Sequence, residues 1–298
     1  MKKEIKGIIT AVITPFDENE NINENAYRTI IRYLINQGIH GLFPVGSQGE
    51  FFSLSMDERK RLMEIAVEEA KGKVFVMPNT GDISTRNCIE LSQYAEKIGA
   101  DAVSMMTPFY INPSQEELYQ HFKSVCSSVG IPVLAYNNPE RSGGVMLNID
   151  TIIRLTENIP NFVGIKDSSG DMTILGEIIR RTPPNFKVFV GRDSMIFAAL
   201  AYGAVGAVAA SSNVAAKLVL GIYDAVNKGE YEKAKELQQK LAPIRIAFGL
   251  GTFPVVMKEA LNMIGLPAGK CRKPILPLSE EAKTKLRNIL KNSGVLEN

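Results

Sequence analysis

Residues 132–180 run PVLAYNNPERSGGVMLNIDTIIRLTENIPNFVGIKDSSGDMTILGEIIR, and the hydrophobic period of this stretch changes repeatedly. Pro132–Tyr136 and Phe162–Lys166 are short apolar runs of strand length. Ile149–Thr156 and Met172–Arg180 instead repeat apolar residues at helical spacing. A strand, a helix and a strand in this order form a βαβ unit, in which the strands are parallel neighbours.

Working outward, the same alternation predicts further strands at Ile8–Thr14, Gly41–Val45, Val74–Pro78, Ala102–Met106, Lys187–Val190 and Gly206–Ala210, which makes eight. Helical patterns fall at Asn25–Asn36, Met56–Ala70, Thr85–Ile98, Gln115–Val129, Met195–Ala201 and Ala215–Asn227. Ser55 before Asp57-Glu58 and Ser114 before Glu116-Glu117 are N-cap hydroxyls with acids in the first turn, where the helix dipole favours them. Eight βα units in series predict an α/β fold, a closed (β/α)8 TIM barrel over residues 1–227. No glycine-rich dinucleotide fingerprint or P-loop follows a strand. Beyond Lys228 the strand signal stops, and Glu230–Leu241, Phe253–Ile264 and Glu280–Lys291 predict helices. Pro254 suits a first turn and Gly265 a terminator, so residues 228–298 form an expected C-terminal helical subdomain.

Lys+Arg 34 against Asp+Glu 32 leaves a formal charge of +2, with no basic excess to hold a nucleic-acid backbone. Cys88, Cys126 and Cys271 are scattered, and His40 and His121 share no ligand spacing, so no disulfide framework, metal or cofactor is expected. The apolar stretch Ile8–Ile13 resembles part of a signal peptide, but Glu4 and Lys6 interrupt its approach and no small-residue cleavage site follows. No apolar run reaches the roughly 18 residues of a membrane span. A cytoplasmic protein acting on small molecules is the expectation.

In barrels of this kind the chemistry sits at the C-terminal ends of the strands. Those ends deliver Gly46-Ser47-Gln48-Gly49-Glu50, Thr107-Pro108-Phe109-Tyr110, Tyr136-Asn137 and Lys166-Asp167-Ser168. Alternation puts Phe162, Gly164 and Lys166 on one face, with Val163 and Ile165 turned to the helices. An inward lysine loses hydration, its pKa falls below about 10.4, and the neutral amine can attack a ketone. The alternative is a lysine that snorkels to the rim. Tyr136 is either a proton-transfer phenol or a core aromatic bonded to a carbonyl. Tyr110 suits proton transfer or interface packing. The glycines around Ser47 and Gln48 let backbone N–H groups approach a carboxylate, although many plain turns also hold two glycines. Glu50 either caps donors of its own loop or takes part in the chemistry. Arg141 is a fork for a substrate carboxylate or a solvated loop residue.

Taken together, these motifs resemble the dihydrodipicolinate synthase/N-acetylneuraminate lyase family of class I pyruvate-dependent aldolases, from about Ile5 to Leu290. The markers are Gly46–Glu50, Thr107–Tyr110, Tyr136-Asn137-Asn138-Pro139 and Gly164–Asp167. The resemblance implies that Lys166 forms the Schiff base and Tyr136 transfers protons. It further implies that Ser47 links Tyr136 to Tyr110, with Tyr110 reaching into a neighbouring subunit's site. Amides around Ser47 and Gln48 would hold the pyruvate carboxylate, and Gly191 and Val208 would line the site. A homotetramer of two tight dimers, without metal or cofactor, is also implied.

Arg141 favours the dihydrodipicolinate synthase-like members, and with them condensation of pyruvate with L-aspartate 4-semialdehyde in lysine biosynthesis. Gln48, in place of the usual threonine, and Phe51-Phe52 depart from that branch and keep open an aldolase or dehydratase of a 2-keto-3-deoxy sugar acid. Met56, Arg59 and Ile83 replace polar contacts of the family's lysine-inhibitor site, which argues against feedback inhibition by lysine. A 2-oxo-acid sensor without turnover is a third alternative, opposed by the intact lysine and tyrosine.

Overall fold

The structure, a computed structural model, describes residues 4–297. Its strands are β1 (Gly7–Ala11), β2 (Gly41–Phe43), β3 (Phe75–Val76), β4 (Val103–Met106), β5 (Val133–Asn137), β6 (Phe162–Asp167), β7 (Lys187–Val190) and β8 (Gly206–Ala209). They alternate with α1 (Glu24–Asn36), α2 (Met56–Ala70), α3 (Thr85–Lys97), α4 (Gln115–Cys126), α5 (Ile149–Asn158), α6 (Met172–Arg181), α7 (Ile196–Tyr202) and α8 (Ser212–Asn227). The expected capping is present: Ser55 and Ser114 each accept from the third helical N–H, and Glu58 and Glu117 return the bond.

All paired strands are parallel, in the order β3-β2-β1-β8-β7-β6-β5-β4. The last seam, between β3 and β4, closes without a regular ladder. Asn79, just past β3, bridges Ser104, while Ser104 N donates to Pro78 O and Thr80 N to Ser104 O, both at 2.9 Å. Pro78 has no N–H to extend β3, so this expected strand shrinks and residues 78–80 complete the ring. The β2 run also stops short of Val45, whose φ of 58° cannot continue a strand.

In β6 the expected face assignment needs a correction. Val133 pairs with Phe162 but Leu134 with Gly164, so Val163 is an extra residue in a bulge. The bulge turns Phe162 onto Phe122 of α4, with ring centroids 6.0 Å apart, instead of onto the face of Lys166. Alternation holds from Gly164 onward. Gly164 itself is closely packed. An added Cβ would lie 2.4 Å from Lys187 O and 3.0 Å from Leu134 Cδ2, so glycine is needed for close strand packing.

The C-terminal helices are α9 (Tyr231–Ile246), α10 (Val255–Met263) and α11 (Glu280–Asn292). Pro254 stands at the N-cap of α10, just before the first turn in which it was expected, and Gly265 follows the helix end at a φ of 84°, as expected. Helix α9 continues beyond the expected stop at Leu241 and carries Pro243 in its last turns. Leu241 and Ile244 are fully buried, and that packing offsets the local cost of the proline. Among the described residues no single helix is long and apolar enough to cross a membrane.

Candidate active site

The C-terminal strand ends open into one cavity of about 430 Å³. Lys166, Tyr136, Ser47, Gln48, Arg141, Gly191 and Val208 all line it. Tyr110 does not. It is 93% exposed, at a φ of 73°, and lies outside the cavity of its own chain.

Lys166 is inward and buried, so snorkelling to the rim is not its arrangement. Its Nζ lies 3.7 Å from the centroid of the Tyr136 ring and 4.3 Å from that of Phe43. Burial pulls the ammonium below the ordinary lysine range, and the Tyr136 phenol and the charge of Asp193 offset only part of this. Asp193 Oδ2 accepts from the Ser211 N–H at 2.6 Å and from its hydroxyl at 2.5 Å, and Oδ1 accepts from Ala210 N at 3.3 Å.

The Tyr136 phenol responds to the same neighbours in the opposite sense. Burial alone would raise it, but the Lys166 charge and the hydrogen bonds around its oxygen bring it below the ordinary phenol value. Asn138 Nδ2 donates to that oxygen at 2.8 Å, and Ser47 Oγ lies 3.4 Å away. The Ser47–Tyr136 half of the expected relay therefore forms within one chain, and the Tyr110 half does not.

Ser47–Gly49 is a single 3-10 turn, whose first N–H groups have no acceptor inside it. Gly49 O accepts from Thr14 Oγ1 at 2.7 Å, which fixes the loop on the segment that follows β1. The Gln48 side chain is buried, and among the described residues neither its Nε2 nor its Oε1 has a partner. It is an unspent donor and acceptor in the cavity wall. Glu50 neither caps its own loop nor enters the cavity. It accepts from Arg272 N at 3.1 Å and lies 2.5 Å from Lys258 Nζ of α10, because an αL backbone (φ 56°) turns it toward the C-terminal helices.

Gly191 is required by the lysine. An added Cβ there would meet Ser168 Oγ at 1.9 Å and Lys166 Cε at 3.0 Å. The serine hydroxyl can rotate away, so Gly191→Ala is expected to fold but to displace the amine. Trapping of pyruvate with borohydride should slow by about tenfold or more, since small misplacements at a reacting centre carry costs of this order. An unchanged trapping rate would show that the lysine tolerates the methyl group.

Sequence reasoning missed several cavity residues. Asn138, Arg192 and Asp193 stand at strand ends, where the barrel rule alone marks them. Arg245, Phe248 and Phe253 come from the C-terminal helical part, and no local signal points to them. Arg59, at the site of the expected inhibitor departure, is buried, pairs with Asp82 at 3.0 Å and lies over Phe51. Among the described residues no group of His, Cys, Asp and Glu is placed to hold a metal ion.

A barrel with a buried lysine at the end of its sixth strand and a phenol against its amine defines the imine-forming barrel lyases. Residues 4–293 match the model of the dihydrodipicolinate synthetase family, and the chain belongs to that family. Curated relatives include the 4-hydroxy-tetrahydrodipicolinate synthases of Methanopyrus kandleri, 38% identical over 98% of both chains, and of Bradyrhizobium diazoefficiens, 36% identical over 99% of both. Among solved structures, dihydrodipicolinate synthase from Aquifex aeolicus superposes with a TM-score of 0.94 at 32% identity, covering 99% of this chain and 100% of that one. The Acinetobacter baumannii enzyme, complexed with pyruvate, also gives 0.94, at 33% identity over 98% of this chain and 100% of its own.

Proposed function

We propose that the protein is a class I lyase that condenses pyruvate with L-aspartate 4-semialdehyde, as a 4-hydroxy-tetrahydrodipicolinate synthase in lysine biosynthesis. The observation that carries this reading is the desolvated Lys166 amine packed against the Tyr136 ring. The N–H groups opening the Ser47–Gly49 turn hold the pyruvate carboxylate, with Gln48 beside them. The neutral amine attacks the ketone carbon, Tyr136 protonates the carbinolamine oxygen, and water leaves to give the imine. Loss of a C3 proton gives the enamine, whose carbon attacks the aldehyde, and cyclisation then releases the product from Lys166. Gly191 and Val208 shape the wall beside the amine. Tyr110 serves the site of a neighbouring subunit in a homotetramer, and its exposure in the single chain supports that role. Residues 228–298 act as a subdomain that completes the cavity mouth. The three buried free cysteines are consistent with a cytoplasmic setting.

A second reading, turnover of a 2-keto-3-deoxy sugar acid, is favoured by one feature. Arg141, Arg192 and Arg245 all reach the mouth, and of the cavity's two acids Glu140 is engaged by Arg192 at 2.6 Å and Asp193 by Ser211. Among the described residues, an ammonium group on the second substrate meets no unengaged carboxylate there. Turnover of aspartate semialdehyde compared with a panel of sugar acids separates the two readings, and pyruvate binding without any product would instead indicate a sensor. Under either catalytic reading, Arg141→Ala is expected to raise KM for the second substrate by about tenfold or more, because a charged fork is lost. Unchanged kinetics would remove Arg141 from the site.

A further inference from the structure

We propose that Arg245, from α9 in the C-terminal helical part, is a binding residue for the carboxylate of the second substrate and forms a guanidinium pair with Arg141. This rests on the reading that Lys166 carries the first substrate as an imine. It holds for any carboxylate-bearing second substrate.

The two guanidiniums are mounted alike. Arg245 Cζ lies 4.7 Å from the Phe248 ring centroid, and Arg141 Cζ lies 4.8 Å from that of Phe253. Stacking on a ring uses the face of the guanidinium and leaves its N–H edge for a planar acceptor. Among the described residues the Arg245 guanidinium makes no hydrogen bond or ion pair, and Arg141 has a single 3.4 Å contact to Glu140. Arg192 differs, because it is engaged with Ser168 O at 3.1 Å and with Glu140 at 2.6 Å. It orders the mouth and has fewer donors left for a ligand.

The charges converge on one point. Burial alone would raise the Glu140 carboxyl, and the hydrogen bond from Arg192 with the charges of Arg141 and Arg245 holds it below the usual range. The charges of all three guanidiniums thus act on Glu140, while the cavity's other carboxylate, Asp193, is held by Ser211. Arginine does not shed its proton, so the mouth keeps an excess of positive charge that a second carboxylate would neutralise. A polar ligand without that charge gains nothing from Arg245.

The test separates the mouth from the chemistry. Parent and Arg245→Met proteins, the latter keeping an apolar stem over Phe248, are reacted with pyruvate and borohydride, so that Lys166 is permanently occupied. Each adduct is then titrated calorimetrically with succinate semialdehyde and with butanal, which has the same chain length but no carboxylate. The parent adduct is expected to bind the semialdehyde more tightly than butanal. Arg245→Met should weaken the semialdehyde by at least about tenfold, as expected for loss of a charge-assisted fork, and leave butanal unaffected. Arg245→Lys should fall between them. Equal semialdehyde affinity in the parent and Arg245→Met adducts overturns the proposal, as does a parent adduct that binds both aldehydes alike or neither. An adduct that forms on the parent but not on Arg245→Met would place Arg245 in the pyruvate step and also overturn it. No adduct on the parent would be a failure of the imine reading, and is a distinct result.

Discussion

Lys166→Ala is expected to abolish the pyruvate adduct and to lower turnover by about a thousandfold or more, because no other group supplies the covalent step. Intact mass after borohydride reduction reads the first effect: a mass increase on the parent and none on the variant. A parent protein that gains no mass would sink the imine mechanism. The pH dependence follows from the same burial. Only the neutral amine has a lone pair, so kcat/KM for pyruvate should rise with pH through an apparent pKa below the ordinary lysine value of about 10.4. Burial lowers the lysine, and the adjoining Tyr136 is also lowered, so the ascending limb belongs to the pair. A limb at or above the ordinary lysine value would mean that the amine is solvated during the reaction.

Lys258→Met is expected to cost about 3–5 kcal/mol of stability, the range for removing one partner of a buried ion pair. Lys258 and Glu50 are 1% and 0% exposed. The ammonium donates to Lys270 O at 2.7 Å and lies 2.5 Å from Glu50 Oε1, a buried ion pair. Burial pulls Lys258 below the ordinary lysine range, with Glu50 opposing that shift. Without the lysine, the Glu50 carboxylate keeps the Arg272 N–H but loses the ammonium beside it, and becomes a buried charge with much of its compensation gone. Urea unfolding should show the loss as a lower midpoint. The double variant Glu50→Gln/Lys258→Met should recover part of it, since both charges are then gone. A loss under about 1 kcal/mol for Lys258→Met would show that the pair is dispensable.

Much of the site was legible in the sequence because strand alternation and strand-end position are local properties. Lys166, Tyr136, Ser47 and Gln48 were found by asking what each strand carries to one end of the barrel. The same local rule failed where neighbours intervened. The β6 bulge depends on pairing with β5, and it removed Phe162 from the face of Lys166. Glu50 was open to a role in its own loop, yet its partners are Lys258 and Arg272, more than two hundred residues along the chain.

Lys166 therefore had its strand and its barrel end determined by the sequence alone, with an inward direction favoured over the rim, since a two-residue period and the order of βα units need no distant partner. Its environment was decided by the tertiary structure. The rings that desolvate the amine come from β2 and β5, the glycine that makes room for it follows β7, and the arginine that completes the mouth comes from α9. Such contacts arise only when the ring of strands closes and the C-terminal helices pack against it, so no local pattern encodes them.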